Sequence, residues 1–125
     1  MLGKRNAMAT IAVKDINAAK KFYEEKLGLQ PAGSEEPSVI TYKSGNSSVL
    51  VYESQYAGTN KATAATWSVG DNIEGIVQAL KAKGISFEHY DFPNTRLEGD
   101  VHVMGKMKAA WFKDPDGNII NLAGQ

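Results

Sequence analysis

The chain has no cysteine among its 125 residues. That excludes a disulfide framework, a thiolate metal site and a cysteine nucleophile. Its imidazoles are His89 and His102 alone. Aromatic residues make up only 9% of the chain, and proline is rarer still. Neither sign of charge is in excess, with 14 Lys+Arg against 14 Asp+Glu, and no basic stripe marks a nucleic-acid surface. No apolar run approaches the ~20 residues that span a bilayer. The basic start, Met1-Leu2-Gly3-Lys4-Arg5-Asn6, has no apolar segment behind it of the kind a secretory signal carries. These absences point to a cytoplasmic protein that contacts neither nucleic acid nor membrane. What remains is ordinary globular material, 42% hydrophobic and 22% charged, sized for one compact domain.

The chain repeats itself. Ala9-Thr10-Ile11-Ala12-Val13-Lys14-Asp15, a helical stretch to Lys26 and then Gly28 match Ala65-Thr66-Trp67-Ser68-Val69-Gly70-Asp71, a helical stretch to Lys83 and then Gly84. The same offset of 56 residues separates Asp15 from Asp71 and Gly28 from Gly84. Each Asp stands where a helix N-cap is wanted, and each Gly where a left-handed residue ends a helix. Ile16, Ala19, Phe22 and Tyr23 share one helix face; Ile73, Ile76, Val77 and Leu80 share the other. Strand-like runs follow each helix, so the pattern reads strand–helix–strand–strand–strand, twice. Module one covers about residues 7–53, a small polar linker about 54–62, and module two about 63–124. The second module carries 16 extra residues within Asp91–Lys108, and an insertion of that length in a small domain is often functional.

Module two ends in Trp111-Phe112-Lys113-Asp114-Pro115-Asp116-Gly117-Asn118-Ile119-Ile120-Asn121-Leu122. Pro115 presets a turn and Gly117 can take the positive φ that closes it, so this run is a hairpin. Together, Val13-Lys14-Asp15-Ile16, Phe22-Tyr23-Glu24-Glu25-Lys26-Leu27-Gly28 and Asp114-Pro115-Asp116-Gly117-Asn118 resemble three signatures of the vicinal-oxygen-chelate superfamily, the glyoxalase, bleomycin-resistance and dioxygenase proteins. The resemblance implies an α+β fold. Two tandem βαβββ modules would pair into a curved, open, eight-stranded mixed sheet with helices outside and a ligand cleft on the concave side.

The resemblance also implies where a divalent metal would sit. One donor would lie on the first strand and one on the last strand of each module. These positions fall at Met8 and Ala64, at Val49 (or Val51 if the strand is bulged), and at Asn121 in place of the family's glutamate. One neutral amide oxygen among four positions does not make a hard-donor site, so no metal or other cofactor is expected. Other donors are Glu53, His89 and His102; a register slip at Glu53 would be needed to bring the three together.

Tyr52, Trp67 and Trp111 are the aromatic residues expected to line the cleft, with Asn121 beside them. Val101-His102-Val103-Met104-Gly105 is an apolar island inside the polar insertion. It reads either as a strand or lid that turns His102 or Met104 inward, or as an edge strand with His102 exposed. The first function this suggests is metal-independent binding of a small aromatic or apolar molecule between modules or between the subunits of a homodimer. The alternative is a lyase, isomerase or dioxygenase with a displaced metal or none, using His102 as acid/base. A third is an interaction module without a ligand.

Overall fold

A computed structural model describes residues 1–33 and 36–125. Module one comprises β1 (Ala9–Val13), α1 (Ile16–Lys20) running on into a π-helical segment (Lys21–Lys26), β2 (Gln30–Gly33), β3 (Val39–Ser44) and β4 (Ser47–Glu53). Module two comprises β5 (Thr63–Gly70), α2 (Ile73–Ala82), β6 (Phe87–Glu88), β7 (Arg96–Glu98), β8 (Val101–Met104), β9 (Met107–Lys113) and β10 (Ile119–Gly124). One sheet runs β1-β4-β3-β2 and the other β5-β10-β9-β8-β7, with β6 also paired to β9. In each, the first strand lies parallel to the last and the remaining pairs are antiparallel. Eight strands are thus the two βαβββ units. The other two, β7 and β8, are the insertion, folded into a hairpin whose β8 shares the free edge of β9 with β6.

Local chemistry sets the helix ends. At α1, the Asp15 side chain accepts from Asn17 N at 2.9 Å and Glu53 Oε2, from the end of β4, accepts from Ile16 N at 3.1 Å, so two carboxylates satisfy the helix's orphan N–H groups. Glu53 is therefore a cap for α1. At α2 the expectation is corrected: the cap position is Asn72, without a side-chain bond, and Asp71 lies outside the helix. The helical signature Phe22-Tyr23 closes with wide turns, Leu27 N to Phe22 O at 3.0 Å and Leu29 N to Tyr23 O at 2.9 Å. Both aromatic side chains are buried.

The helix-bearing sides of the two sheets share one core. Ile11, Val13, Val49 and Val51 of module one and Ala110, Phe112, Ile120 and Leu122 of module two belong to a single buried cluster. Phe22 meets Phe112 at 6.2 Å between ring centres and Tyr23 stacks on Tyr42 at 6.3 Å. The opposite side of each sheet faces outward.

The Asp114–Asn118 turn joins the modules. Asp114 is 5% exposed, yet its carboxylate is fully engaged. Oδ1 accepts from Asp116 N at 2.9 Å and Asn118 N at 2.8 Å. Oδ2 accepts from the Tyr23 hydroxyl at 2.7 Å and Asn118 Nδ2 at 2.8 Å. Asn118 Nδ2 also donates to Ala12 O of β1 at 2.7 Å. The linker rests on the same turn. Gly58 adopts φ +75°, and a Cβ there would stand 2.0 Å from Asp116 O. Burial first, and Asp114 second, push the Tyr23 phenol far above its usual range, so it remains a donor.

Removing either partner leaves buried polar groups unmatched. Tyr23→Phe should cost about 2 kcal/mol and Asp114→Ala at least about 3 kcal/mol in urea unfolding. Gly58→Ala should also destabilise, through backbone collision rather than lost bonds. An Asp114→Ala midpoint equal to wild type would show that the turn is not a joint.

Candidate functional site

Cross-strand register decides which side chains share the outward face of module two. Trp111 pairs with Asn121 and Ala109 with Ala123, Asn121 pairs with Thr66, His102 pairs with Ala109, and Met104 follows His102 by one alternation. The structure therefore brings His102, Met104, Trp111 and Asn121 onto one face. It sets Trp67 on the other: Trp67 pairs with the core residue Leu122, donates Nε1–H to Ser44 Oγ of module one at 2.7 Å, and borders an apolar cavity of about 160 Å³ beside Leu27, Leu29, Ile76 and Leu80. Tyr52 lies on the outward face of module one, in alternation with the buried Val51.

The same alternation moves one donor position. Val49 and Val51 are 4% and 0% exposed within the core, and the β4 residues turned outward are Ser48, Leu50 and Tyr52. Position by position the donor set becomes Met8, Leu50, Ala64 and Asn121, which does not fit a hard divalent ion. The Asn121 amide, 9% exposed, spends its N–H groups on Ala110 O and Leu122 O, each at 3.2 Å. Glu53 is held at α1, and His89 Nε2 lies 2.7 Å from Asp100 Oδ1. Among the described residues no three His, Asp or Glu side chains converge as metal ligands would.

An aromatic group occupies the outward face instead. After β6 the chain crosses over the sheet, bringing Tyr90 and Phe92 onto Trp111 at 5.5 and 5.4 Å between ring centres. His102 meets Trp111 edge-on at 4.9 Å and 89°, and Phe92 lies 6.0 Å from His102. His102 is 1% exposed. Its Nε2 accepts from Tyr90 N at 2.9 Å, which leaves the ring proton on Nδ1. Among the described residues neither Nδ1 nor the Tyr90 hydroxyl has a partner, and both are buried. Val101 and Val103, on the other side of β8, are each 4% exposed in the core. The apolar island is thus a strand buried on both faces, with His102 inside.

Tyr90, Phe92, Trp111 and Ile119 line an open cavity of about 380 Å³ completed by Lys61, Ala62 and Thr63. Thr63 Oγ1 accepts from Trp111 Nε1 at 3.3 Å. Reading the sequence places residues 61–63 at the linker's end and leaves Phe92 unremarked. Their recruitment depends on the bulge between Ile119 and Ile120, opposite Thr63 and Ala65, and on the path of the insertion. A lone aromatic pair, Tyr90 and Phe92, at the border of a polar insertion is the signal that points to them.

A family model described as the Glyoxalase/Bleomycin resistance protein/Dioxygenase superfamily matches residues 6–122. The chain belongs to that superfamily. Solved structures agree in fold. A glyoxalase family protein from Enterococcus faecalis superposes with a TM-score of 0.74 at 23% identity, over 98% of this chain and 99% of that one. A fosfomycin resistance protein, FosX, from Listeria monocytogenes gives 0.71 at 15%, over 96% and 92%. A lactoylglutathione lyase from Agrobacterium tumefaciens gives 0.71 at 18%, over 96% and 93%. Comparison with curated protein sequences gives no match. Among the described residues no helix is long and apolar enough to cross a membrane.

The insertion is tied to α2 by Asp100, which lies 2.7 Å from both Lys81 Nζ and His89 Nε2. Lys81, then His89, hold the Asp100 carboxyl below its usual value. A folded-state pKa below the unfolded one gives stability that is complete above the ordinary Asp value of ~3.9 and lost as pH falls through the depressed one. Hydrogen-exchange protection factors in residues 89–104, corrected for the intrinsic rate, should therefore fall upon acidification through that range. Asp100→Asn should show the lower protection already at pH 7, with the acid dependence of this segment reduced.

Proposed function

We propose that this superfamily member binds a small planar aromatic or apolar molecule on the outward face of module two, without the superfamily's usual divalent metal. The aromatic cavity over the buried His102 carries this reading. Its volume lies within the range typical of small-molecule sites, its walls are mostly apolar, and a few polar groups stand at its edge. His102, Met104, Trp111 and Asn121 belong to this face, with Trp111 as the contact surface and His102 supporting it from below. Tyr52 joins from the face of the other module only across a subunit boundary. The two modules of one chain share a cavity of about 470 Å³ lined by Ser48 and Val49 of one and Thr66 and Trp67 of the other; Tyr52 lies outside it, and bringing Tyr52 to the aromatic face takes a second copy. A homodimer is therefore part of the proposal, as is a cytoplasmic location.

The donor set supports the metal-free form: Met8, Leu50 and Ala64 offer no hard oxygen or nitrogen, and Asn121 spends its amide hydrogens on backbone carbonyls. An enzymatic reading with His102 as acid/base gains nothing from the geometry, since Nε2 is engaged and the ring is buried.

Thermal unfolding against a panel of planar aromatics tests the proposal. A true ligand at a hundredfold excess over its Kd adds about 2.7 kcal/mol, and Trp111→Ala should abolish the gain. A stoichiometric divalent ion in the purified protein, lost on Asn121→Ala, would overturn the metal-free form. A monomer in sedimentation at ligand-saturating concentration would overturn the dimer.

A further inference from the structure

The aromatic depression beside Tyr90 and Phe92 has one charged side chain in its lining, and that group bears on what it takes. Lys61 lines it and is exposed, and among the described residues it has no ion pair. The other cation nearby, Lys113, is paired with Glu88 at 3.6 Å. Lys61 is thus the charged group among the described lining residues. Tyr90, Phe92 and Trp111 supply its aromatic walls.

From this juxtaposition we infer that the ligand is an aromatic anion: one or two fused rings held against Trp111 and Phe92, with a carboxylate or similar acidic group directed at Lys61. This rests on the proposed site and adds the sign of charge to it. A cationic aromatic would meet the Lys61 ammonium head-on, and a neutral one would leave that charge uncompensated by anything in the cavity. Thr63 is already engaged, its oxygen accepting from the Trp111 indole.

Calorimetric titration with 2-naphthoate and with its uncharged isostere 2-naphthamide, at low and high salt, tests the inference. Wild type should bind the acid about two- to fivefold more tightly than the amide at low ionic strength, the advantage of a single partly screened ion pair. The margin should shrink with salt. Lys61→Met should bring the acid down to the amide and leave the amide unchanged. Equal binding of acid and amide to wild type, or a preference that survives in Lys61→Met, would overturn the anionic ligand. If both probes also lose affinity in Trp111→Ala and in the milder Phe92→Ala, the aromatic site itself stands. Binding of neither probe, or binding indifferent to both aromatic variants, would sink the site and the inference together.

Discussion

The buried Asp114 carboxylate is the constraint on which the arrangement of this chain depends. An unpaired ionised carboxylate in a protein interior is prohibitively costly, and this one is made tolerable by four donors drawn from its own turn and from Tyr23 of module one. The hydroxyl and the carboxylate can both be satisfied only when the helix of one module rests against the closing hairpin of the other. Asn118 adds a bond to β1, and the linker crosses at Gly58 because only a residue without Cβ fits under Asp116. The turn therefore fixes how the modules meet, in addition to reversing the chain.

That fixed meeting decides which side of each sheet is free for function. Once Tyr23 is held at Asp114, the apolar helix faces of both modules close over one core, and Trp67 goes with them. Its indole N–H is satisfied by Ser44, so it behaves as an interface residue between modules. Trp111, on the adjacent strand but one of β5 and of opposite alternation, is turned outward. Two tryptophans that look equivalent as cleft aromatics are thus separated by the thickness of a sheet.

Much of the fold was legible because it is written in residue types with narrow physical roles: Asp15 at a helix start, Gly28 and Gly84 past helix ends with φ of +77° and +91°, and Pro115 and Gly117 in a turn. The 56-residue offset then makes one half predict the other. Legibility failed where a single residue of register matters. Strand alternation has a period of two, so placing the β4 donor position at Val49 or Val51 instead of Leu50 reverses its face. It failed also at Asp71, where Asn72 occupies the cap position. His102 could not be assigned from alternation, since Val101 and Val103 flank it and all three are buried. Period two cannot tell inside from outside when a strand is covered on both faces.

The insertion explains both that double burial and the character of the outward face. A bare βαβββ module would leave most of the edge of β9 open, because β6 pairs with it at only two residues. An open edge of that length invites pairing with other chains, and β8 closes it. To reach that edge from β6, the chain must cross the outward face, and the residues that make the crossing are Tyr90 and Phe92. On that face Ala64 and Asn121, and on the outward face of the other module Leu50, stand at the positions that the superfamily resemblance gives to metal donors. Aromatic surface is added on one side of one sheet. The edge that needed covering is what brought the aromatics there. The insertion's sequence is therefore under two physical demands at once: Val101 and Val103 must complete the core while His102, between them, supports the rings above.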